Sequence, residues 1–329
     1  MSEPISGELR TNRVASAFPT GQLLSKYGLL GFLVANALVV SVLSPAFLKP
    51  ENIANVLTQA APLGIVVLGQ TFVLLAGGVD LSVASVMATS AVIATGFAAT
   101  DNRMVPVIFA AAIGLGLVVG LVNGFLVAWR NVSPFLATLA TTIVLQGLRF
   151  LYTQGSTGST LPSAFALMGA GRFLGVPVNL IALVVLAAIL GFVLLVSKFG
   201  RKIYLVGGNV RGAMLVGLST DWIIIGCYVL CSVIAAIAGL FLVGYVGQVD
   251  QWTGKGYELD SIVAAVMGGV AITGGRGNVF GALLGVLILV AMFNAVILLG
   301  LPVQVQLILK GVIVIAASAF YLSGSWERT

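Results

Sequence analysis

Residues 69–83 read Gly69-Gln70-Thr71-Phe72-Val73-Leu74-Leu75-Ala76-Gly77-Gly78-Val79-Asp80-Leu81-Ser82-Val83. Apolar runs at 54–76 and 81–99 flank the Gly-Gly-Val-Asp-Leu-Ser interruption, and each approaches the roughly 20 residues a helix needs to cross a hydrocarbon core. Almost no polar linker separates them, so the helix is expected to break inside the membrane. Irregular backbone at that depth is tolerated only where protein or a water-filled cavity shields it, which makes the break buried or pore-lining. Asp80 either caps the next helix, accepting from the amides of residues 82 and 83, or serves in gating or the substrate path, because acids within membranes are costly and often functional.

Outward from this break, ten apolar runs are counted, at 28–48, 54–76, 81–99, 104–128, 133–153, 178–197, 222–246, 258–273, 279–299 and 303–322. Apolar residues make up 59% of the 329 and charged residues 8%, with a mean hydropathy of +1.14. Soluble domains run near 45–50% apolar and about 25% charged, so an ordinary water-soluble enzyme is excluded. The chain has no His and two Cys, which removes His-dependent catalytic pairs, His-ligated metal and zinc clusters. No GxxxxGK[ST] phosphate loop occurs, so any energy from nucleotide must come from another subunit. The net charge of +6 forms no basic stripe, and nucleic acid is not an expected partner. The lipid bilayer is.

The fold class predicted is all-α, a polytopic membrane protein of about ten transmembrane helices with broken intramembrane segments. A single transmembrane domain is expected over 28–323, between a cytoplasmic segment at 1–27 and a cytoplasmic tail at 324–329. The first run is too long for a signal-peptide core and is read as an uncleaved helix with the N-terminus inside. Alternating sides then places Arg10, Arg13, Lys26, Arg130, Lys198, Arg201, Lys202, Arg211, Arg276 and Arg328 in the cytoplasm. Only Lys49, Arg103, Arg172 and Lys255 face out, with Arg149 and Lys310 inside spans. The basic bias of short loops supports that orientation.

Two further segments depart from plain hydrophobic helix. The longest cytoplasmic loop, 198–221, carries Gly207-Gly208-Asn209-Val210-Arg211-Gly212-Ala213-Met214. Asn209 is expected to cap a short helix starting at Val210, with Val210, Ala213, Met214 and Gly217 on one face. Such a helix either lies in the membrane interface or docks a cytoplasmic partner. The other segment runs from Gly254 through Glu258 and Asp260 to Gly268-Gly269, followed by Gly274-Gly275-Arg276-Gly277. Glu258 and Asp260 suit the positive N-terminal end of a helix, and Lys310 is a candidate partner for either acid, since a lone ammonium at that depth is costly. The glycine pairs imply close helix packing and an intramembrane turn. Val79-Asp80-Leu81-Ser82-Val83-Ala84-Ser85-Val86-Met87-Ala88 also resembles Leu259-Asp260-Ser261-Ile262-Val263-Ala264-Ala265-Val266-Met267-Gly268. Five-plus-five inverted halves would place these stretches in corresponding positions.

Taken together, residues 69–83, Gly120-Leu121-Val122-Asn123-Gly124, Pro134-Phe135-Leu136-Ala137-Thr138-Leu139, Gly207-Gly208-Asn209, Gly256-Tyr257-Glu258-Leu259-Asp260, Gly274-Gly275-Arg276-Gly277 and Lys310-Gly311 resemble, in order, the ribose-type permeases of ATP-binding-cassette importers. The resemblance covers about 28–322. It implies a bacterial inner-membrane transport subunit, not itself an enzyme, that moves a monosaccharide by alternating access. The implied partners are a cytoplasmic ATPase, a second permease in a homo- or heterodimer, and a periplasmic sugar-binding protein. No cofactor is expected in this chain; ATP and Mg belong to the partner ATPase. Candidates for the substrate path are Asp80, Ser82, Asn123, Phe135 and Thr138, though interhelical bonding for Asn123 and packing for Phe135 are the plainer roles. Candidates for ATPase coupling are Gly207, Gly208, Asn209, Arg211, Ala213, Met214 and Gly217. Structural or gating roles fall to Gly77, Gly78, Glu258, Asp260, Gly274, Gly275, Arg276 and Lys310. The chain departs from the family after Asn209, where two alanines and an Arg are usual at the positions of Gly212, Ala213 and Met214. An ion-coupled secondary transporter is the competing reading, and it would have no need of an ATPase dock at 198–221.

Overall fold

The computed structural model describes residues 19–96, 100–158, 160–250, 252–313 and 315. Most of the expected N-terminal segment and all of the tail at 324–329 lie outside these residues. The chain forms helices α1 (Pro19–Leu43), α2 (Pro50–Leu75), α3 (Val83–Gly96), α4 (Val105–Ala128), α5 (Pro134–Thr153), α6 (Ser163–Ala170), α7 (Val178–Val196), α8 (Lys198–Gly208), α9 (Val210–Leu215), α10 (Thr220–Val246), α11 (Tyr257–Met267) and α12 (Val279–Leu298). A further helix, α13, spans Gln304–Ile313. A small antiparallel hairpin, β1 (Arg172–Phe173) and β2 (Val176–Pro177), precedes α7. The protein is thus an all-α polytopic membrane protein, and α2, α4, α5, α7, α10 and α12 are each long and apolar enough to cross a membrane.

One of the apolar runs is only partly helical. α11 has 11 residues, about 16 Å at 1.5 Å per residue, against a hydrocarbon thickness of about 30 Å. The run at 258–273 was expected to be one span; instead its helix stops at Met267, and Gly269 at φ +87° turns the chain. Only glycine takes that conformation without a Cβ clash.

α2 and α10 form the centre. Every residue of α2 from Ala60 to Leu75 is buried, and α10 packs against α4, α2, α3 and α6. The α4–α10 contact is set by glycines four residues apart. A Cβ on Gly116 or Gly124 would stand 2.7 and 2.8 Å from the Cα atoms of Val233 and Ile225, and one on Gly120 would overlap Val229. The descending partners show that the two helices run antiparallel with backbones in direct contact, a small-residue interface typical of lipid-embedded bundles. By contrast α4, α5 and α7 leave most of their surfaces open, as lipid-facing or subunit-facing helices do.

One buried amide repairs a defect in α2. Pro62 inside the helix has no N–H, so the carbonyl of Thr58, four residues earlier, loses its helical donor. Asn179, fully buried on α7, donates its Nδ2 to that carbonyl at 2.9 Å.

Candidate functional site

The break between α2 and α3 is held by a polar knot that bonds seven of its backbone groups. Gly77 N–H and Gly78 N–H donate to Leu74 and Val73 carbonyls at 2.9 Å. Tyr228 of α10 donates its hydroxyl to the Val79 carbonyl at 3.2 Å. With its amide oriented to match these partners, Gln70 donates to the Asp80 carbonyl and accepts from the Asp80 N–H, both at 3.2 Å. On α5, Thr138 accepts from Leu81 N–H at 3.1 Å and Thr142 donates to the Leu81 carbonyl at 3.2 Å. This accounting is what a non-helical segment in a bilayer requires.

Side chains complete the knot. Asp80 Oδ1 accepts from Ser82 N–H at 2.8 Å and from the Ser82 hydroxyl at 2.6 Å; the amide of residue 83, also expected to reach it, does not. Ser82 Oγ accepts from Asn123 Nδ2 at 2.9 Å, and Asn123 Oδ1 accepts from Thr141 at 2.6 Å. Four of the five path candidates, Asp80, Ser82, Asn123 and Thr138, therefore meet in one cluster, and all four are fully buried. Phe135 stands apart at the start of α5, 55% exposed.

The three glycine-bearing segments converge next to this knot. Gly275 N–H donates to the Leu75 carbonyl at 2.9 Å, at the end of α2. A Cβ on Gly207 of α8 would overlap that same carbonyl. One on Gly274 would stand 2.7 Å from the Gly207 carbonyl oxygen and 2.9 Å from the Gly77 nitrogen, and one on Gly275 would lie 2.7 Å from the Gly208 Cα. Tyr204 of α8 donates its hydroxyl to the Gly277 carbonyl at 2.8 Å; burial pushes the phenol above its usual range and keeps it a donor. The ends of α2 and α8 and the turn at 268–277 thus touch backbone to backbone, with no side chain between them.

Beyond the junction, Asn209 Oδ1 accepts from Gly212 N–H at 2.9 Å and caps α9. Ala213 is buried, whereas Arg211, Met214, Leu215 and Val216 are exposed. Gly217, at φ +78°, ends the element. α8 itself is an addition to the expected short helix: Ser197 caps it at Gly200 N–H, and Gly200, Ile203 and Val206 form its buried stripe. That spacing was present in the sequence as a period-three signal.

Three charged candidates, Lys310, Asp260 and Glu258, lie at the other end of α10. Lys310 on α13 pairs with Asp260 on α11, its Nζ 2.7 Å from Oδ1 and 2.9 Å from Oδ2. Glu258 instead accepts from Gly256 N–H at 2.9 Å and caps α11. Arg276 is exposed beside the glycine turn. Arg149, placed inside a span by the sequence but given no role there, is buried on α5 and donates to the Ser85 carbonyl at 2.9 Å and to Thr89 at 3.3 Å, tying α5 to α3.

Broken helices, a hydrogen-bonded kink in which, among the described residues, only one oxygen of buried Asp80 is bonded, and a capped amphipathic pair at one end fit a polytopic membrane permease. The chain belongs to the family described as the permease component of the branched-chain amino acid transport system, which it matches over residues 52–318. It is 38% identical over 307 residues to the ribose import permease protein RbsC of Escherichia coli K12, covering 91% of this chain and 94% of that one. The Bacillus subtilis ribose import permease protein RbsC is 38% identical over 284 residues, covering 85% and 87%. The L-arabinose ABC transporter permease protein AraH of Azospirillum brasilense is 34% identical over 299 residues, covering 91% and 88%. No solved structure matches the chain.

Proposed function

We propose that the chain is the permease subunit of an ATP-driven inner-membrane importer for a monosaccharide or a similar small polar solute. The similarity to ribose and L-arabinose permeases over most of the chain supports the substrate class. In this reading a cytoplasmic ATPase, which brings ATP and Mg, docks on α9, a second permease copy or homologue completes the channel, and a periplasmic binding protein delivers the solute. Ten crossings with both termini cytoplasmic, arranged as a five-plus-five inverted repeat, are part of the same proposal.

The observation that carries the mechanism is the contact of Gly207 and Gly275 with the Leu75 carbonyl. Closure of the ATPase pulls on α9 through Arg211 and Met214. α8 passes the displacement to the end of α2 and so to the break at Gly77 and Gly78. Asp80, Ser82, Asn123 and Thr138 then exchange their knot for an open arrangement along the solute path, and the protein alternates access without covalent chemistry.

The test is purification of the tagged protein from its native membrane, with mass spectrometry and ATPase assays. A co-purifying tandem ATPase, stimulated by a binding protein loaded with sugar, is the expected result. A protein that comes out alone and moves solute in liposomes on an ion gradient without ATP overturns the reading.

A further inference from the structure

At the end of α10 opposite to α8 and α9 lies a cavity of about 640 Å³, within the roughly 300–1,000 Å³ of small-molecule sites. Its walls come from α2, α10, α11, α12, α13 and the loop after α10, so it sits inside one subunit. Three glutamines face it, Gln59, Gln248 and Gln306. Among the described residues the Gln59 and Gln248 amides make no hydrogen bond, and Gln306 spends one N–H on the Phe293 carbonyl at 3.3 Å. Each free amide offers donors and an acceptor side by side. Trp252 and Tyr245 add aromatic surface, 55% and 37% exposed.

Two of the three charged groups that line this cavity pair with each other. Lys310 and Asp260 form its inner wall, already paired at 2.7 Å, and Lys310 also stands 4.8 Å over the Phe293 ring. Asp250 at the rim accepts from Trp252 N–H and from Thr253, and holds the loop. An amino acid would need separate partners for its carboxylate and its ammonium, since burying an unpaired charge is costly. Beyond the Lys310–Asp260 pair the lining offers, among the described residues, amides and the Asp250 carboxylate at the rim, and no unpaired cation to take an amino acid's carboxylate. Hydroxyl groups, which both donate and accept, match those amides, and the C–H face of a sugar ring suits the aromatic surface.

We infer that this cavity is the chamber in which the permease receives a neutral polyhydroxylated solute, with the Lys310–Asp260 pair as its closed floor. The inference rests on the importer reading and deepens it, locating the solute away from the Asp80 knot. α2 connects the two, carrying Gln59 in the chamber wall and Leu75 at the glycine junction.

The experiment uses the full transporter in liposomes, with ATPase and binding protein, and measures uptake of radiolabelled D-ribose, L-arabinose, D-xylose, D-glucose and D-galactose, with L-leucine as the charged comparison. Gln59→Leu/Gln306→Leu is expected to lower the sugar moved per ATP hydrolysed at least tenfold. As a second measurement that does not depend on that variant folding, Val246→Cys on the chamber wall is modified with a bulky charged thiosulfonate. The two native cysteines are buried. Modification is expected to reduce uptake at least tenfold in the same preparation, and the transported sugar is expected to slow the modification. Complete modification with undiminished uptake, or no modification from outside, overturns the chamber. Uptake of leucine in place of every sugar overturns the solute class. If wild type moves none of the panel with ATP, the importer reading itself fails, an outcome read on the unmodified protein and so distinct from failure of the site.

Discussion

Replacing Asn179 by Leu isolates one hydrogen bond whose necessity follows from Pro62. In the wild-type helix the Thr58 carbonyl depends on Asn179 Nδ2, 2.9 Å away, because residue 62 has no N–H to give. An orphaned buried acceptor costs about 1–3 kcal/mol. Asn179 Oδ1 has no partner among the described residues, so removing the side chain also relieves one desolvated acceptor, and the expected net loss is about 1–2 kcal/mol. In a Pro62→Ala background the helix supplies its own donor to Thr58, and the same Asn179→Leu change should then cost under about 0.5 kcal/mol. The cycle therefore predicts a coupling near 1 kcal/mol between residues joined only through a third residue's carbonyl. Equilibrium unfolding by denaturing detergent in mixed micelles, read by the midpoint of the transition, measures it. An equal penalty in both backgrounds would show that Asn179 acts through packing alone and would refute the compensation.

Three further outcomes follow from the same geometry. Gly207→Ala puts a methyl group into the Leu75 carbonyl and should cut the solute moved per ATP at least tenfold in reconstituted transporter, while Gly191→Ala, where a Cβ meets nothing within 4 Å, should not. Lys310→Met leaves the buried Asp260 carboxylate without its cation and should cost about 3 kcal/mol, the low end for buried pairs because the Lys310 side chain keeps 22% exposure; adding Asp260→Leu should recover most of the loss in the same unfolding assay. Gly120→Val pushes α4 off the α10 backbone at Val229 and, at a cost above about 3 kcal/mol for overpacking against rigid backbone, should abolish recovery of folded protein from the membrane by size exclusion.

Local chemistry was legible in the sequence wherever a residue acts on its own neighbours. The Gly77-Gly78 break, the Asn209 cap of α9 and the acids at the start of α11 are of this kind, because turn and cap propensities reach only three or four positions. The 258–273 run was misjudged in length, because apolar composition cannot distinguish a spanning helix from a half-helix followed by buried irregular chain. Partnerships across the fold were legible only as types. Lys310 needed an acid, but two were available, and the arrangement of α11 and α13 decided for Asp260 while Glu258 turned back on Gly256. Asn179 gave no signal, since its partner is a carbonyl made needy by a proline 117 positions away. The meeting of Gly77, Gly207 and Gly274 was equally hidden, as three separate glycine motifs carry no mark of sharing one contact.

That contact bears on why glycine is needed there. Side chains between two moving elements can change rotamer and absorb a displacement of a few tenths of an ångström, whereas backbones in van der Waals contact transmit it. At the junction the carbonyl of Leu75 is held by Gly275 N–H and covered by Gly207, so a shift of α8 must move the end of α2 or break that hydrogen bond. α2 in turn is buried from Ala60 onward and kept helical past Pro62 by Asn179. A rigid α2 carries the shift over about 24 Å, at 1.5 Å per residue, from Leu75 to Gln59 in the chamber wall. A soft α2 would dissipate it, and Asn179→Leu should therefore weaken transport per ATP as well as stability, with Pro62→Ala restoring both in parallel. Recovery of stability without recovery of coupling would separate the two and place the transmission in another helix, α10 being the alternative that spans both ends.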